Sequence, residues 1–153
     1  MEIERKFLIS EENLPKNLDS YPHHKLEQGY LSTAPVVRIR KEDENYYLTY
    51  KSKGLMTREE YNLPLTKESY EHMRPKADGI LISKTRYLIP EKDGLTIELD
   101  VFEGALAPLV LAEVEFETEE EANTFVPPEW FGEDVTFSTK YHNSTLSQRT
   151  FSS

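Results

Sequence analysis

Acidic and basic side chains recur at every second position of this chain, and the pattern begins at once. In EIERKF, residues 2–7, an extended backbone sets Glu2, Glu4 and Lys6 on one side and Ile3, Arg5 and Phe7 on the other. VVRIRK does the same with Arg38 and Arg40 against Val37 and Ile39, and LTYKSK aligns Thr49 with Lys51. TREEY aligns Arg58 with Glu60, ISKTRYLI aligns Lys84 with Arg86, and TIELDVF aligns Glu98 and Asp100 against Ile97, Leu99 and Val101. AEVEFE completes the series with Glu113, Glu115 and Glu117 against Val114 and Phe116. Each row tends to hold one sign of charge.

Alternating charge on an antiparallel sheet is ordinarily a solvated face over an apolar core. Such a face mixes Thr, Ser, Gln, Lys and Glu, whereas here Arg and Glu dominate, paired two residues apart. Like charges that close repel one another, so an open surface gains nothing from them. They make sense if each row faces a ligand or an opposite row. Carboxylates offering oxygen alone suit Mg²⁺ or Mn²⁺, not zinc with its usual His and Cys ligands. Arg supplies a bidentate fork for phosphate oxygens and Lys a point charge. The basic set, Lys6, Arg38, Arg40, Lys51, Arg58, Lys84, Arg86 and Lys140, exceeds what one orthophosphate could use; a linear chain of two or three phosphates would use it. The expected site therefore holds a metal-complexed polyanion.

The elements that must position these rows are short strands. They are expected at 2–9, 25–32, 36–41, 45–52, 57–63, 81–89, 95–103 and 109–117, with turn chemistry in KEDEN, KG and PEKDG between some of them. TKESYEHMRPKA predicts a helix capped by Thr66 with Ser69 three residues on, its regular part ended by Pro75. TEEEANTF predicts another, with Thr118 as N-cap, Glu121 at the capping-box position and Pro127-Pro128 as the stop. STKYHNSTLSQ is expected to form a short last helix capped by Ser138 or Thr139. With 153 residues, the chain is expected to be one domain, 1–153, of the α+β class but mainly β. Eight strands in so small a domain predict a closed or nearly closed antiparallel barrel, because closure removes edges. Its interior is polar and large enough for ligand and water, and its outer face is apolar beneath the flanking helices. An outer-membrane barrel shares the polar interior but fits poorly, since Arg5, Lys41 and Glu59 point outwards and the helices would have no place.

Composition removes other classes. A net charge of −10 argues against wrapping a nucleic-acid polymer or binding anionic lipid, both of which need a basic footprint. With no Cys there is no disulfide, thiol nucleophile or thiolate metal site. No signal peptide precedes the first strand and no apolar run approaches spanning length, so a cytoplasmic location is expected. His23, His24, His72 and His142 lack metal-ligand spacing and are read as solvated or hydrogen-bonded. Trp130 is read as packing the second helix onto the barrel. Neither a nucleophile elbow nor a Gly-rich phosphate loop is present.

EIERKF on the first strand, followed in order by RIR, YKSK, REE, SKTR, ELD and EVE, resembles the triphosphate tunnel metalloenzymes, the CYTH superfamily, over residues 2 to about 142. The resemblance implies an eight-stranded antiparallel tunnel ringed by helices and a small tripolyphosphatase-like enzyme. By position, Glu2 and Glu4 would ligate the divalent metal, Mg²⁺ or Mn²⁺, joined by Glu115 and Glu113. Lys6, Arg38, Arg40, Lys51, Lys84 and Arg86 would hold the phosphates. Arg58 with Glu60, and Glu98 with Asp100, match tunnel positions whose roles vary. Lys140 resembles the basic residue near the C-terminal helix that closes one end.

The reaction expected is divalent-metal-dependent hydrolysis of inorganic tripolyphosphate or a nucleoside triphosphate, with water attacking the terminal phosphate in line. Glu60, Glu98 and Asp100 are candidates for orienting or deprotonating that water. The partner is thus a small triphosphate, not a nucleic-acid polymer or a membrane. The competing readings are a class IV-type adenylyl cyclase, a thiamine triphosphatase, and a module that binds polyphosphate or nucleotide without turnover.

Overall fold

The computed structural model describes residues 2–54 and 56–148; residue 1 and residues 149–153, the ends of the expected domain, lie outside the described residues. Its framework is nine antiparallel strands where eight were expected. In chain order they are β1 (Glu2–Leu8), β2 (His23–Thr33), β3 (Val36–Glu42), β4 (Asn45–Lys51), β5 (Thr57–Arg58), β6 (Glu60–Pro64), β7 (Asp78–Pro90), β8 (Thr96–Phe102) and β9 (Val110–Glu115). The extra strand comes from 57–63, which breaks at Glu59. There Glu59 N–H donates to Ser52 Oγ at 2.9 Å and Ser52 N–H donates to the Glu59 carbonyl at 3.0 Å, bending the chain away from straight ladder pairing. β5 then pairs with β1, and β6 with β4. The sheet order is β5-β1-β9-β8-β7-β2-β3-β4-β6. Because its two end strands are neighbours in the chain, the sheet wraps into a nearly closed barrel with little free edge.

The period-two pattern sorts the side chains as expected on the outer face. Ile3, Phe7, Ile97, Leu99, Ala112, Val114 and Phe116 form a buried cluster outside the β1-β9-β8 wall, with Phe125, Trp130 and Phe131 packed on it. The short helix α2 (Glu119–Thr124) joins that layer through buried Ala122, and Thr118 caps it by accepting from Glu121 N–H. On the opposite wall α1 (Lys67–Met73) begins at a capping box between Thr66 and Ser69, and Pro75 falls in the 3₁₀ turn that follows it. Its Tyr70 is fully buried and donates to Glu27 Oε1 at 2.9 Å. Gly29 permits the close approach of the chain after α1: a Cβ there would stand 2.7 Å from Ala77 Cβ and 2.8 Å from Leu81 Cδ2.

Two expectations need correction. The barrel interior is not polar throughout. At one end Tyr30, Ile82, Phe102 and Leu111 pack with Leu106, Val135 and Leu146 into a second apolar cluster, because the inward rows turn from charged to aliphatic towards that end. The last helix is also not continuous. A 3₁₀ turn, Thr139–Tyr141, is separated from α3 (Asn143–Leu146) by His142 in extended conformation, and among the described residues neither element has a side-chain cap hydrogen bond from its N-cap residue. Among the described residues no helix is long and apolar enough to cross a membrane.

Candidate active site

The charged rows converge. A cavity of about 140 Å³ in the barrel is lined by Glu2, Glu4 and Lys6 from β1, Arg38 and Arg40 from β3, and Lys51 from β4. Arg58 and Glu60 reach it from either side of the Glu59 bend, Arg86 from β7, Glu98 from β8, and Glu113 and Glu115 from β9. Register decides which charges meet. Lys6 lies opposite Glu113, Arg86 opposite Asp100, and Glu2 opposite Arg58, so cation faces anion across each of these strand pairs. Glu4 lies opposite Glu115, a carboxylate facing a carboxylate.

On the β7–β8–β9–β1 side the cations are held by acids. Arg86 Nε and Nη2 donate to the two Asp100 oxygens at 2.7 and 2.9 Å, and Nη1 donates to Glu98 Oε2 at 3.0 Å. Lys84 Nζ stands 2.7 Å from Asp100 Oδ2 as a charge contact without an aligned hydrogen bond. Lys6 Nζ lies 3.5 Å from Glu113 and donates to the Tyr141 carbonyl at 3.3 Å. Near the bend, Lys51 and Arg58 both reach Glu2, at 3.2 and 3.4 Å. On the β2–β3–β4 side the partners are neutral. Arg38 Nη2 donates to Thr49 Oγ1 at 3.3 Å, Thr49 donates to Asn62 Oδ1 at 2.6 Å, and Arg40 donates to Gln28.

Burial and crowding set the proton affinities. Burial raises the Glu4 carboxyl to about 8, with Glu113 and Glu2 adding to the effect, and its nearest cation contact is Arg58 at 3.9 Å. Burial also raises Glu2 to about 7, and Glu60 contributes by accepting a hydrogen bond from its carboxyl. Glu60, against the upward pull of its own burial, is held down to about 2 by Glu2, Lys51 and Arg38. Glu98 and Glu115 are raised, first by burial and then, for Glu115, by neighbouring carboxylates; for Glu98 that pull exceeds the opposing one of Arg86. Asp100 and Glu113, though burial raises both, are lowered by their cations: Arg86 and Lys84 for Asp100, Lys6 and Arg86 for Glu113. Burial lowers Arg40, with Arg38 and Arg86 repelling it further.

Three expected site residues stand apart from the cavity lining. Lys84 and Asp100 have no solvent exposure, and Lys84 sits over the Phe102 ring at 5.2 Å, next to the apolar end. Asp100 binds two cations and is not placed to orient water. Lys140 is exposed and lies over the Tyr141 ring. From the same C-terminal segment His142 and Asn143 reach the cavity instead. Burial, then Lys6 and Arg58, lower His142 to about 4, so it is a neutral imidazole there. Tyr30 and Val36 also line the cavity and Gln28 underlies it; all three follow the same two-residue alternation but carry no charge, which is why a search for charge rows passes over them.

Among the described residues no group of three acidic or histidine side chains could hold a metal ion as they stand. Glu2 and Glu113 are turned to Lys51, Arg58 and Lys6. The donor chemistry nonetheless fits a hard divalent cation. It is oxygen only, and Glu2, Glu4 and Glu115 are raised carboxyls whose ionisation a positive charge would favour.

The chain matches the CYTH domain family over residues 1–151. It is 42% identical over 149 residues to an inorganic triphosphatase from Nitrosomonas europaea, spanning 95% of each chain. It is 35% identical over 150 residues to an inorganic triphosphatase from Acetivibrio thermocellus, spanning 95% of this chain and 92% of the other. The crystal structure of an inorganic triphosphatase superposes with a TM-score of 0.73 at 38% identity, over 98% of this chain and 96% of that one. A Hippeastrum protein at 18% identity, with a TM-score of 0.63 over 80% of this chain and 83% of its own, shares the fold.

Proposed function

The chain belongs to the CYTH domain family, and on that premise we propose that it hydrolyses inorganic triphosphate inside its barrel, with Mg²⁺ or Mn²⁺ as cofactor. One observation carries the reading. The cavity lining combines Arg38 and Arg40, whose hydrogen-bond partners among the described residues are all neutral, with Glu4 and Glu115, which face each other. Guanidinium groups held by neutral acceptors select phosphate oxygens, and crowded carboxylates select a divalent cation.

The residues divide the work. Arg38, Arg40 and Lys51 bind the phosphate chain and hold it straight, and Lys6, Arg58 and Arg86 complete the cationic lining. Glu2, Glu4, Glu113 and Glu115 would hold the metal, whose chemistry when bound is to neutralise phosphate charge and to acidify water. Glu98 is the carboxylate suited to take the proton of attacking water. It lines both the cavity and an adjoining open groove, its affinity for protons is raised, and Arg86 Nη1 fixes its Oε2. Glu60, held near 2, is a poor proton acceptor and serves through charge and its hydrogen bond with Glu2. Asp100 acts one step back by fixing Arg86, and Lys84 by its charge contact with Asp100.

The test is phosphate release from tripolyphosphate, pyrophosphate, ATP and thiamine triphosphate, each with Mg²⁺, with Mn²⁺ and with chelator. Tripolyphosphate should be the preferred substrate, and only with the cations. Cyclic AMP from ATP would replace the reading with a cyclase, preference for thiamine triphosphate with a thiamine triphosphatase, and binding without turnover with a receptor.

A further inference from the structure

Beneath the β2–β3 side of the cavity lies a residue that charge patterning does not mark. Gln28 of β2 is directly opposite Arg40 of β3, and its side chain has no solvent exposure. Its Oε1 accepts from Arg40 Nε at 2.9 Å and from Nη2 at 2.6 Å. Its amide nitrogen is buried without a hydrogen-bond partner among the described residues. A residue that merely filled this space would be better as Met or Leu, which leave no buried donor unsatisfied. The carboxamide oxygen is therefore the informative atom, and Arg40 is what it touches.

The contrast with Arg86 shows what a neutral acceptor achieves. Arg86 is oriented as firmly, but by Asp100 and Glu98, which cancel its charge. Arg40 is oriented by an oxygen that carries no net charge, and no carboxylate forms an ion pair with it among the described residues. Nη1 has no protein acceptor among the described residues, on a guanidinium that lines the cavity.

We propose that Gln28 is a positioning residue, whose neutral carboxamide aims the Arg40 guanidinium at a substrate phosphate while leaving its charge uncancelled. The inference rests on the triphosphatase reading, and the experiment separates the two. Turnover of inorganic tripolyphosphate and melting temperature are measured for the parent chain, Gln28→Met, Arg40→Ala and the double variant. Gln28→Met, close in volume, should raise KM about tenfold with kcat held within about threefold. Arg40→Ala should raise KM further, and Gln28→Met should add nothing on that background, as expected when one residue acts through the other. Gln28→Glu keeps the oxygen and the shape but adds an opposing charge, and it too should raise KM.

An unchanged KM in Gln28→Met, a loss confined to melting temperature, or equal effects of Gln28→Met with and without Arg40 would each overturn the proposal while leaving the triphosphatase reading intact. If Gln28→Met fails to fold, Gln28→Glu decides: an unchanged or lower KM overturns the proposal. Failure of the parent to hydrolyse tripolyphosphate removes the premise and the proposal with it.

Discussion

On β7 and β8 the guanidinium of Arg86 is gripped by Asp100 and Glu98, whereas across the barrel that of Arg40 rests on the amide of Gln28. The two cations come from similar sequence, RIR on one strand and SKTR on the other, each with a second cation two residues earlier. The difference lies in what the neighbouring strand offers. Opposite SKTR runs an acidic strand, so the positive charges there are matched within the protein and lock the wall. Opposite RIR run Gln28, Tyr30 and Thr49, so the positive charge there meets no ion pair among the described residues. A row of Lys and Arg is thus structural or receptive according to its partner strand, not according to its own sequence.

Four measurements test this contrast. The largest effect is expected at Glu4, whose nearest cation contact is Arg58 at 3.9 Å. Glu4→Gln should lower divalent-dependent tripolyphosphate hydrolysis by about 10³-fold, the scale of removing a principal electrostatic group from a reacting centre. It should also raise the melting temperature near pH 7 in chelator, because Gln avoids the cost of protonating on folding a carboxyl that is ionised in the unfolded chain. Activity within tenfold of the parent would remove Glu4 from the metal site.

The next comparison sets the walls against each other directly. Arg86→Ala leaves Asp100 without one of its cations and should destabilise by about 3–5 kcal/mol. Arg38→Ala removes a guanidinium whose hydrogen-bond partner among the described residues is a hydroxyl; it should weaken tripolyphosphate binding by about 1.5–3 kcal/mol with little change in urea midpoint. Equal losses of stability in both variants would mean that the walls do not differ as described.

Stability against pH gives a third test. Glu2 and Glu4 have raised values of about 7 and 8, and Glu98 and Glu115 are raised too, so between their ordinary range and about pH 7 the folded chain binds more protons than the unfolded one. Stability contributed by protonated carboxyls is present at low pH and declines as pH rises through that window. His142, lowered to about 4, pulls the other way below about 6.5, and Lys84, lowered by burial to about 7, does so towards the top of the window, but they are two groups against four. In chelator the melting temperature should therefore fall from pH 5 to 7, and Mg²⁺ or Mn²⁺ should flatten the slope; a rise in chelator would contradict the picture. The smallest effect belongs to Lys140. Exposed and away from the cavity lining, Lys140→Ala should change kcat/KM by less than about twofold, the range of ordinary surface substitutions.

Much of this was readable in the sequence, because strand side chains alternate strictly. That rule places Glu2, Arg38, Arg86 and Glu115 on a common inner face before any pairing is known. Register and depth were not readable. Lys84 and Arg86 share a face, yet two residues along β7 separate a fully enclosed ammonium above Phe102 from a guanidinium that reaches the cavity. The break at Glu59 was hidden because TREEYNL reads as one unbroken strand; its cause is the hydroxyl of Ser52, just past the end of β4. His142 and Asn143 escaped for a related reason, since the C-terminal segment bears no periodicity to show which of its residues turns inwards.

That break has a mechanical consequence. Among the described residues strands β1 and β5 pair at two positions, Glu2 with Arg58 and Ile3 with Thr57, helped by Glu4 N–H donating to the Met56 carbonyl at 3.1 Å, while β3 and β4 are laced along their whole length from Val36 to Glu42. The cylinder therefore has a clasp, and it unfastens there at lower cost than along any long seam. Glu2 is both a stitch of that clasp and a lining residue of the chamber, so cargo gripping Glu2 would fasten the cylinder around itself. Amide hydrogens of residues 2–4 and 57–58 should then exchange faster than those of β3, and slow the most when the chamber is filled.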